Sequence, residues 1–344
     1  MASRVTIKEI AKALNLSTMT VSRALNNRSN VTEETKKKVW DMAREMGYRP
    51  NHIAKSLVLN KTFSIGVVIP EIAHSFFPEV IRGIEDVTYA KDYQLIFTHS
   101  AEDQDRECRA LTALEAKRVD GILISTAQSS DDVTPYKELI DAGLPMVFFD
   151  RCVYNIGASC VSMNDLESSR EITEHLIQHG YKKIAHLSGP PKVSIGKKRL
   201  DGFLKALKEH NMEVRDDWIQ ESGFQEKGGY DAMMRILENS DGDRPEAVVA
   251  VNDPAAFGAM QAILDNGLRI PDDIAIVGFT DDIRAKLMPV PLTTIRQPAY
   301  EMGKKAAEKL IKVIDKEDEA VEEIVIESQL IIRQSCGCNN LNAD

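Results

Sequence analysis

Long hydrophobic runs are missing from this chain. No stretch reaches the ~18 apolar residues that a membrane-crossing helix needs, and the N-terminus lacks the apolar core of a secretory leader. A cytoplasmic protein is therefore expected. Cysteine is scarce: Cys108, Cys152, Cys160, Cys336 and Cys338 make an odd number, which argues against a disulfide framework in that compartment. Cys336 and Cys338 flank Gly337 near the end of the chain. Two thiols fall short of the four ligands of a structural zinc site, so no metal is expected. The seven histidines form no His-Glu-x-x-His or His-x-His arrangement. There is no Gly-x-Ser-x-Gly elbow and no Gly-Lys-Ser/Thr phosphate loop. With neither a nucleophile–base set nor a cofactor fingerprint in view, an enzyme and a resident cofactor are both disfavoured. No solenoid period and no low-complexity tract appears.

What is present is an uneven distribution of charge. Residues 1–60 carry 11 Lys+Arg against 5 Asp+Glu, and the remainder carries 32 against 48. A basic head on an acidic body keeps attraction for a polyanion local to the head. The run Lys36-Lys37-Lys38 reads as a solvated face rather than a reader of bases.

The head has the punctuation of three short helices. Thr6 and Glu9 have the spacing of a capping box, and Ile7, Ile10, Ala11 and Leu14 follow at helical spacing. Asn15-Leu16 makes a tight turn, and Ser17 suits the N-cap of a second helix. In that helix Val21, Ala24 and Leu25 share an inward face; Thr18, Met19, Ser22 and Arg23 share the outward one. A polar outward face beside a helix N-terminus is where a helix-turn-helix touches base edges. A third helix begins at Thr32, buries Val39, Met42, Ala43 and Met46, and ends at Gly47.

From residue 62 onward, short β-rich apolar runs alternate with amphipathic helices. The strand-like runs include 64–70, 94–98, 120–125, 145–149, 183–187, 247–251 and 273–278; helical segments such as 78–91, 166–178 and 254–266 lie between them. This is the βαβ pattern of parallel sheets covered on both faces. Polar residues recur at the ends of these strands: Ser125-Thr126, Asp150-Arg151, Asn252-Asp253 and Thr280-Asp281-Asp282. Open parallel sheets bind ligands at the carboxyl ends of their strands. Arg199 opens a further helical segment, 199–203, and Gly189-Pro190-Pro191 is a turn.

The head resembles the DNA-binding domain of the lactose-repressor (LacI/GalR) family. The match is carried by Thr6-Ile7-x-x-Ile10-Ala11, by Ser17-x-x-Thr20-Val21-Ser22-Arg23-Ala24-Leu25-Asn26, and by Gly47-Tyr48-x-Pro50-Asn51-x-x-Ala54-x-Ser56-Leu57. It continues through the body to about residue 334. The resemblance implies an α/β fold class: a three-helix helix-turn-helix head (1–50), a hinge helix (51–61) and a periplasmic-binding-protein-like body (62–334) of two doubly wound subdomains. The subdomains would be 62–162 with 295–322, and 163–294 with 323–334, leaving a polar tail at 335–344.

The same resemblance implies DNA contacts from Thr6, Ser17, Thr18, Met19, Thr20, Ser22, Arg23 and Asn26, with Thr18, Met19 and Arg23 in the major groove. Arg23 has the chemistry for a bidentate contact to guanine, whereas the Met19 thioether packs on a thymine methyl and reads no hydrogen-bond pattern. In the hinge it implies contacts from Asn51, Ala54, Lys55 and Leu57, with Leu57 as a wedge that unstacks a minor-groove base step. So short a helix forms only with outside support. Effector contacts fall on Phe76, Phe77, Ser125, Asp150, Arg199, Phe224, Asn252, Thr280 and Asp281. Phe77 suits core packing as well as ligand contact, and Asp150 and Arg199 also suit a structural ion pair. The expected function is that of a homodimeric repressor on a near-palindromic operator, controlled by a sugar or sugar derivative rather than a purine. A transport binding protein would explain the body but leave the basic head without a purpose.

Overall fold

The computed structural model describes residues 5–25, 30–48, 61–128, 132–239 and 243–338. The chain divides into two compact units, Met1–Thr62 and Phe63–Asp344.

In the first unit α1 (Ile7–Leu14), α2 (Thr18–Leu25) and α3 (Glu33–Glu45) enclose a small core of Ile10, Ala11, Val21, Ala24, Val39 and Ala43. Each boundary has a local cause. The Glu9 carboxylate reaches back to Thr6 N at 2.7 Å, tying off the start of α1. Asn15 ends that helix at φ 53°, in the left-handed region that asparagine tolerates. Ser17 Oγ then accepts Thr20 N at 3.0 Å, and Thr32 Oγ1 accepts Thr35 N at 3.3 Å, so a hydroxyl caps each later helix. Asn26 and residues 49–60 lie outside the described residues, and with them the hinge positions Asn51, Ala54, Lys55 and Leu57.

The second unit is built on two six-stranded sheets. The strands are β1 (Ser64–Ile69), β2 (Gln94–His99), β3 (Gly121–Ile124), β4 (Met146–Phe149), β5 (Ser159–Met163), β6 (Ile184–Ser188), β7 (Ile219–Glu221), β8 (Ala247–Ala250), β9 (Ala275–Thr280), β10 (Thr293–Arg296), β11 (Glu323–Ile326) and β12 (Gln329–Ile331). The first sheet runs β11-β5-β4-β3-β1-β2 and is parallel throughout. The second runs β12-β10-β9-β8-β6-β7, with only β12 antiparallel. The helices are α4 (Phe76–Tyr89), α5 (Gln104–Ala116), α6 (Thr134–Asp141), α7 (Asp165–Gln178), α8 (Ser194–Glu209), α9 (Glu226–Glu238), α10 (Asp253–Asp265) and α11 (Ala299–Ile314). Because helices cover both faces, the central strands β3, β4 and β8 are buried at every residue, whereas the edge strands β2, β7, β11 and β12 are not. No helix among the described residues is long and apolar enough to cross a membrane.

Three features differ from the sequence-based expectations. The crossing placed after residue 294 falls within β10, which belongs wholly to the second sheet; the one placed after 322 comes later, because β11 completes the first sheet. Arg199 does not open a helix but sits in the middle of α8, which starts at Ser194. Finally, Cys152 and Cys160 are joined by a disulfide. Cys152 lies just after β4 and Cys160 lies in the neighbouring strand β5, eight positions later, with their Cα atoms 5.9 Å apart. Cys108, Cys336 and Cys338 are free.

Candidate functional site

On the head, α2 turns Val21 and Ala24 fully inward and leaves Thr18, Met19 and Arg23 exposed, Met19 by 61%. Thr6 and Ser17 are also exposed, while Thr20 and Ser22 are half-buried. Hydroxyls, a guanidinium and a thioether together supply hydrogen bonding and apolar contact on one short face.

In the body, a cleft opens where the carboxyl ends of strands from both sheets converge. Its lining includes Phe76, Phe77, Asp150, Arg199, Phe224, Asn252 and Thr280, seven of the nine residues expected from sequence. Ser125 and Asp281 are outside that lining. Ser125 is fully buried, and the Asp281 carboxylate is taken by Arg296 at 2.7 Å and Arg333 at 2.5 Å. Glu71, His74, Arg151, Ile195, Gln225, Pro254 and Gln297 complete the cleft. The rule of strand ends was signal enough to find Glu71 and Gln297, which closely follow β1 and β10. Nothing local marks His74, Ile195 or Gln225, because only the facing of two subdomains brings them in.

Asp150 follows β4 at φ 60°, and Thr280 closes β9 at φ 132°. Such backbone costs of order 1–3 kcal/mol and persists where the surroundings enforce it, commonly at binding sites. Burial raises the Asp150 carboxyl from its ordinary 3.8 to about 6 even though the Arg151 and Arg199 guanidiniums pull it down; Asp165 adds to the rise. Asp150 Oδ1 is buried without a well-formed hydrogen bond, although the Gln297 side chain lies close enough to pull the carboxyl down a little. Arg199 is 1% exposed. Its Nε donates to Asp165 Oδ1 at 2.8 Å, its Nη1 donates to the Val251 carbonyl at 2.6 Å, and its plane lies 4.5 Å over the Phe279 ring. A charge so enclosed is held in one orientation. Asn252 caps α10, accepting Ala255 N and donating to the Phe224 carbonyl, both at 2.9 Å. That bond fixes the loop carrying Phe224, whose ring packs where Gly189 has no side chain; a Cβ there would come within 2.9 Å of it.

Direct contacts bridge the cleft. Ser75 Oγ donates to Asp282 Oδ2 at 3.1 Å, His74 pairs with Gln225 and Arg284 at 3.1 Å each, and Arg151 lies 4.3 Å over Phe224. Cys152 N donates to Ser194 Oγ at 3.1 Å. Acceptors, fixed cations, amides and phenylalanine rings therefore surround a space between the two halves of one unit, an arrangement suited to binding a small polar molecule.

Comparison with known proteins agrees with this organisation. Residues 6–51 match the model for bacterial regulatory proteins of the lacI family, and residues 62–334 match that for periplasmic binding proteins and the sugar binding domain of the LacI family. The chain is 35% identical over 330 residues, 96% of its length and 98% of the relative's, to the HTH-type transcriptional repressor PurR of Mannheimia succiniciproducens. Among solved structures it resembles a lac repressor dimer bound to operator and an anti-inducer, with TM-score 0.85, 25% identity, and coverage of 97% of this chain and 99% of that one. It also resembles a complex of the transcriptional regulator CelR with cellobiose, with TM-score 0.74, 26% identity, and coverage of 96% and 100%. The matched families and relatives regulate transcription and are not enzymes.

Proposed function

The chain belongs to the lacI family of bacterial regulatory proteins and is a DNA-binding regulator of transcription; from that premise we propose a homodimeric repressor that binds a near-palindromic operator and senses a sugar or sugar derivative in the cleft. Two heads related by a two-fold axis call for two half-sites. The face formed by Thr18, Met19 and Arg23 meets the bases, and the hinge contacts fall to Asn51, Ala54, Lys55 and Leu57. Such a regulator works in the cytoplasm, where the genome lies.

The observation that carries the effector reading is Asp150, whose buried Oδ1 lacks a well-formed hydrogen bond to a protein donor, the Gln297 amide reaching the carboxyl only weakly. A ligand hydroxyl supplies that donor, and the same hydroxyl accepts from a cation such as Arg199. Repeated along a polyol, this pattern uses the cleft's acceptors and amides in turn, while Phe224 covers the apolar face of the ring. The relative solved with cellobiose is a regulator of the same overall fold.

Calorimetric titration of the full chain with mono- and disaccharides, and in parallel with purine bases, tests this reading. Saturable binding of a sugar that Asp150→Asn weakens at least about tenfold is the expected result, about 1.4 kcal/mol for one good hydrogen bond to a charged group. Binding of a purine base alone would discard the sugar. Equal affinity for palindromic and scrambled DNA, with and without ligand, would defeat the repressor reading. Ligand and operator coupling of the usual order of about 1–3 kcal/mol must appear reciprocally in both titrations.

A further inference from the structure

The C-terminal segment brings two thiols against a histidine, none of which lines the cleft. His175 stands in the last turn of α7, and its Nε2 is 3.2 Å from Cys338 Sγ. Cys336 is fully buried, Cys338 half-buried, and the three ligand-type atoms of His175, Cys336 and Cys338 all fall within 4.8 Å of one another. We propose that His175, Cys336 and Cys338 form a binding site for a thiophilic divalent cation, Zn2+, which fastens the C-terminal segment to α7.

The geometry suits that ion. Bond lengths of about 2.3 Å to sulfur and about 2.0–2.1 Å to nitrogen, at tetrahedral angles, set neighbouring ligand atoms about 3.5–3.8 Å apart. Small side-chain adjustments reach that spacing from here. One imidazole and two thiolates are the soft donors that select Zn2+ over Mg2+ or Ca2+. Solvent takes the fourth position beside the half-buried Cys338.

The surroundings are built to hold the donors. Gly337 lies between the two cysteines at φ 74°, a turn that directs both thiols the same way, and a Cβ at that position would meet Tyr181 Oη at 2.6 Å. Tyr181 Oη donates to the Cys336 carbonyl at 3.0 Å. Thr293 Oγ1 donates to Cys336 Sγ at 3.2 Å while accepting Arg333 N at 2.8 Å, so a supporting hydroxyl already points at the sulfur. Ser335 Oγ donates to the Ile276 carbonyl at 2.6 Å, pinning the segment to β9 just before the site. On binding, each thiol loses its proton to solvent and both sulfurs enter as thiolates; no electron moves.

The test uses the full chain, stripped with a chelator and kept reduced with a non-chelating phosphine, and Zn2+ as the probe in competition with a chromophoric chelator. One Zn2+ per chain is expected, with a melting temperature that rises with Zn2+ concentration. Co2+ in its place should show a thiolate-to-metal charge-transfer band. Cys338→Ser and His175→Gln should each weaken binding by about a hundredfold, at least as much as loss of a residue that only supports a ligand, and Cys108→Ser should leave it unchanged. Cys336→Ser puts a hydroxyl into a packed position, so the half-buried Cys338 carries the decision. Substoichiometric Zn2+, undiminished binding in Cys338→Ser, or a Cys336–Cys338 disulfide that persists in reductant and blocks uptake would overturn the proposal.

Discussion

Replacing Asp253 with asparagine should change how stability depends on pH. Asp253 begins α10 and is fully buried. Its Oδ1 accepts Thr294 Oγ1 at 2.6 Å, and its Oδ2 accepts Asp282 N at 2.8 Å. Burial raises its carboxyl from the ordinary 3.8 to about 7; the two hydrogen bonds oppose the rise, and the charges of Asp281 and Asp282 add to it. The folded state therefore holds a proton that the unfolded chain has already released. Between these values stability falls as pH rises. The contribution is complete below about pH 4 and is gone once pH passes about 7. A displacement of about three pH units, at about 1.4 kcal/mol each, corresponds to on the order of 4 kcal/mol. The carboxamide that replaces the carboxyl keeps one acceptor for Asp282 N, and the Thr294 hydroxyl can turn to accept from its NH2 group, so the fold has no reason to change. Other groups titrate across the same range. Asp150 acts in the same direction, while buried His186, held down to about 3, acts in the opposite one. The quantity to follow is thus the difference between variant and parent. Urea unfolding of both, at intervals from about pH 4 to about pH 8, should show the Asp253→Asn variant gaining on the parent by several kcal/mol as pH rises. Parallel curves would refute the reasoning, since they would mean Asp253 ionises alike in both states.

Three further perturbations probe separate parts of the molecule. Arg199→Met leaves Asp165 buried without its cation and should cost about 3–5 kcal/mol in urea unfolding; adding Asp165→Asn should recover a large part, and purely additive losses would deny the coupling. Gly303→Ala puts a Cβ against the Val80 carbonyl where α4 and α11 cross, so thermal unfolding should move down by several degrees, with no change pointing to a looser crossing. Leu57→Ala should weaken operator binding in a fluorescence titration and leave effector affinity alone, the outcome expected of a DNA wedge; lost effector affinity in calorimetry would contradict it.

The helix boundaries of the head were legible because each rests on a residue and its immediate neighbours: a hydroxyl at Ser17 or Thr32, a carboxylate at Glu9, a left-handed turn at Asn15. The central strands were legible for a related reason. Covered on both faces, β1, β3, β4 and β8 read as unbroken apolar runs. Edge strands such as β7 and β12, three residues long and partly in water, carry no such run. Within the cleft, Asp150, Asn252 and Thr280 were found because strand ends are local features; His74, Gln225 and Ile195 were not, because each enters from a segment whose own pattern says nothing about what faces it. Periodicity likewise did not reveal that Arg199 lies in mid-helix, since Val193 caps α8 without a side-chain hydrogen bond.

The amino-acid order alone thus determined a basic three-helix head, an acidic α/β body and the family to which both belong, since these follow from spacing, capping chemistry and charge along a few residues at a time. Tertiary structure alone decided that Cys152 bonds Cys160, that Asp281 spends its charge on Arg296 and Arg333 instead of facing the cleft, and that Cys338 meets His175 from 163 positions away, with Cys336 beside it. Such contacts join residues whose separation along the chain holds no information about their distance in space; only the packing of sheets, helices and the closing C-terminal segment sets it.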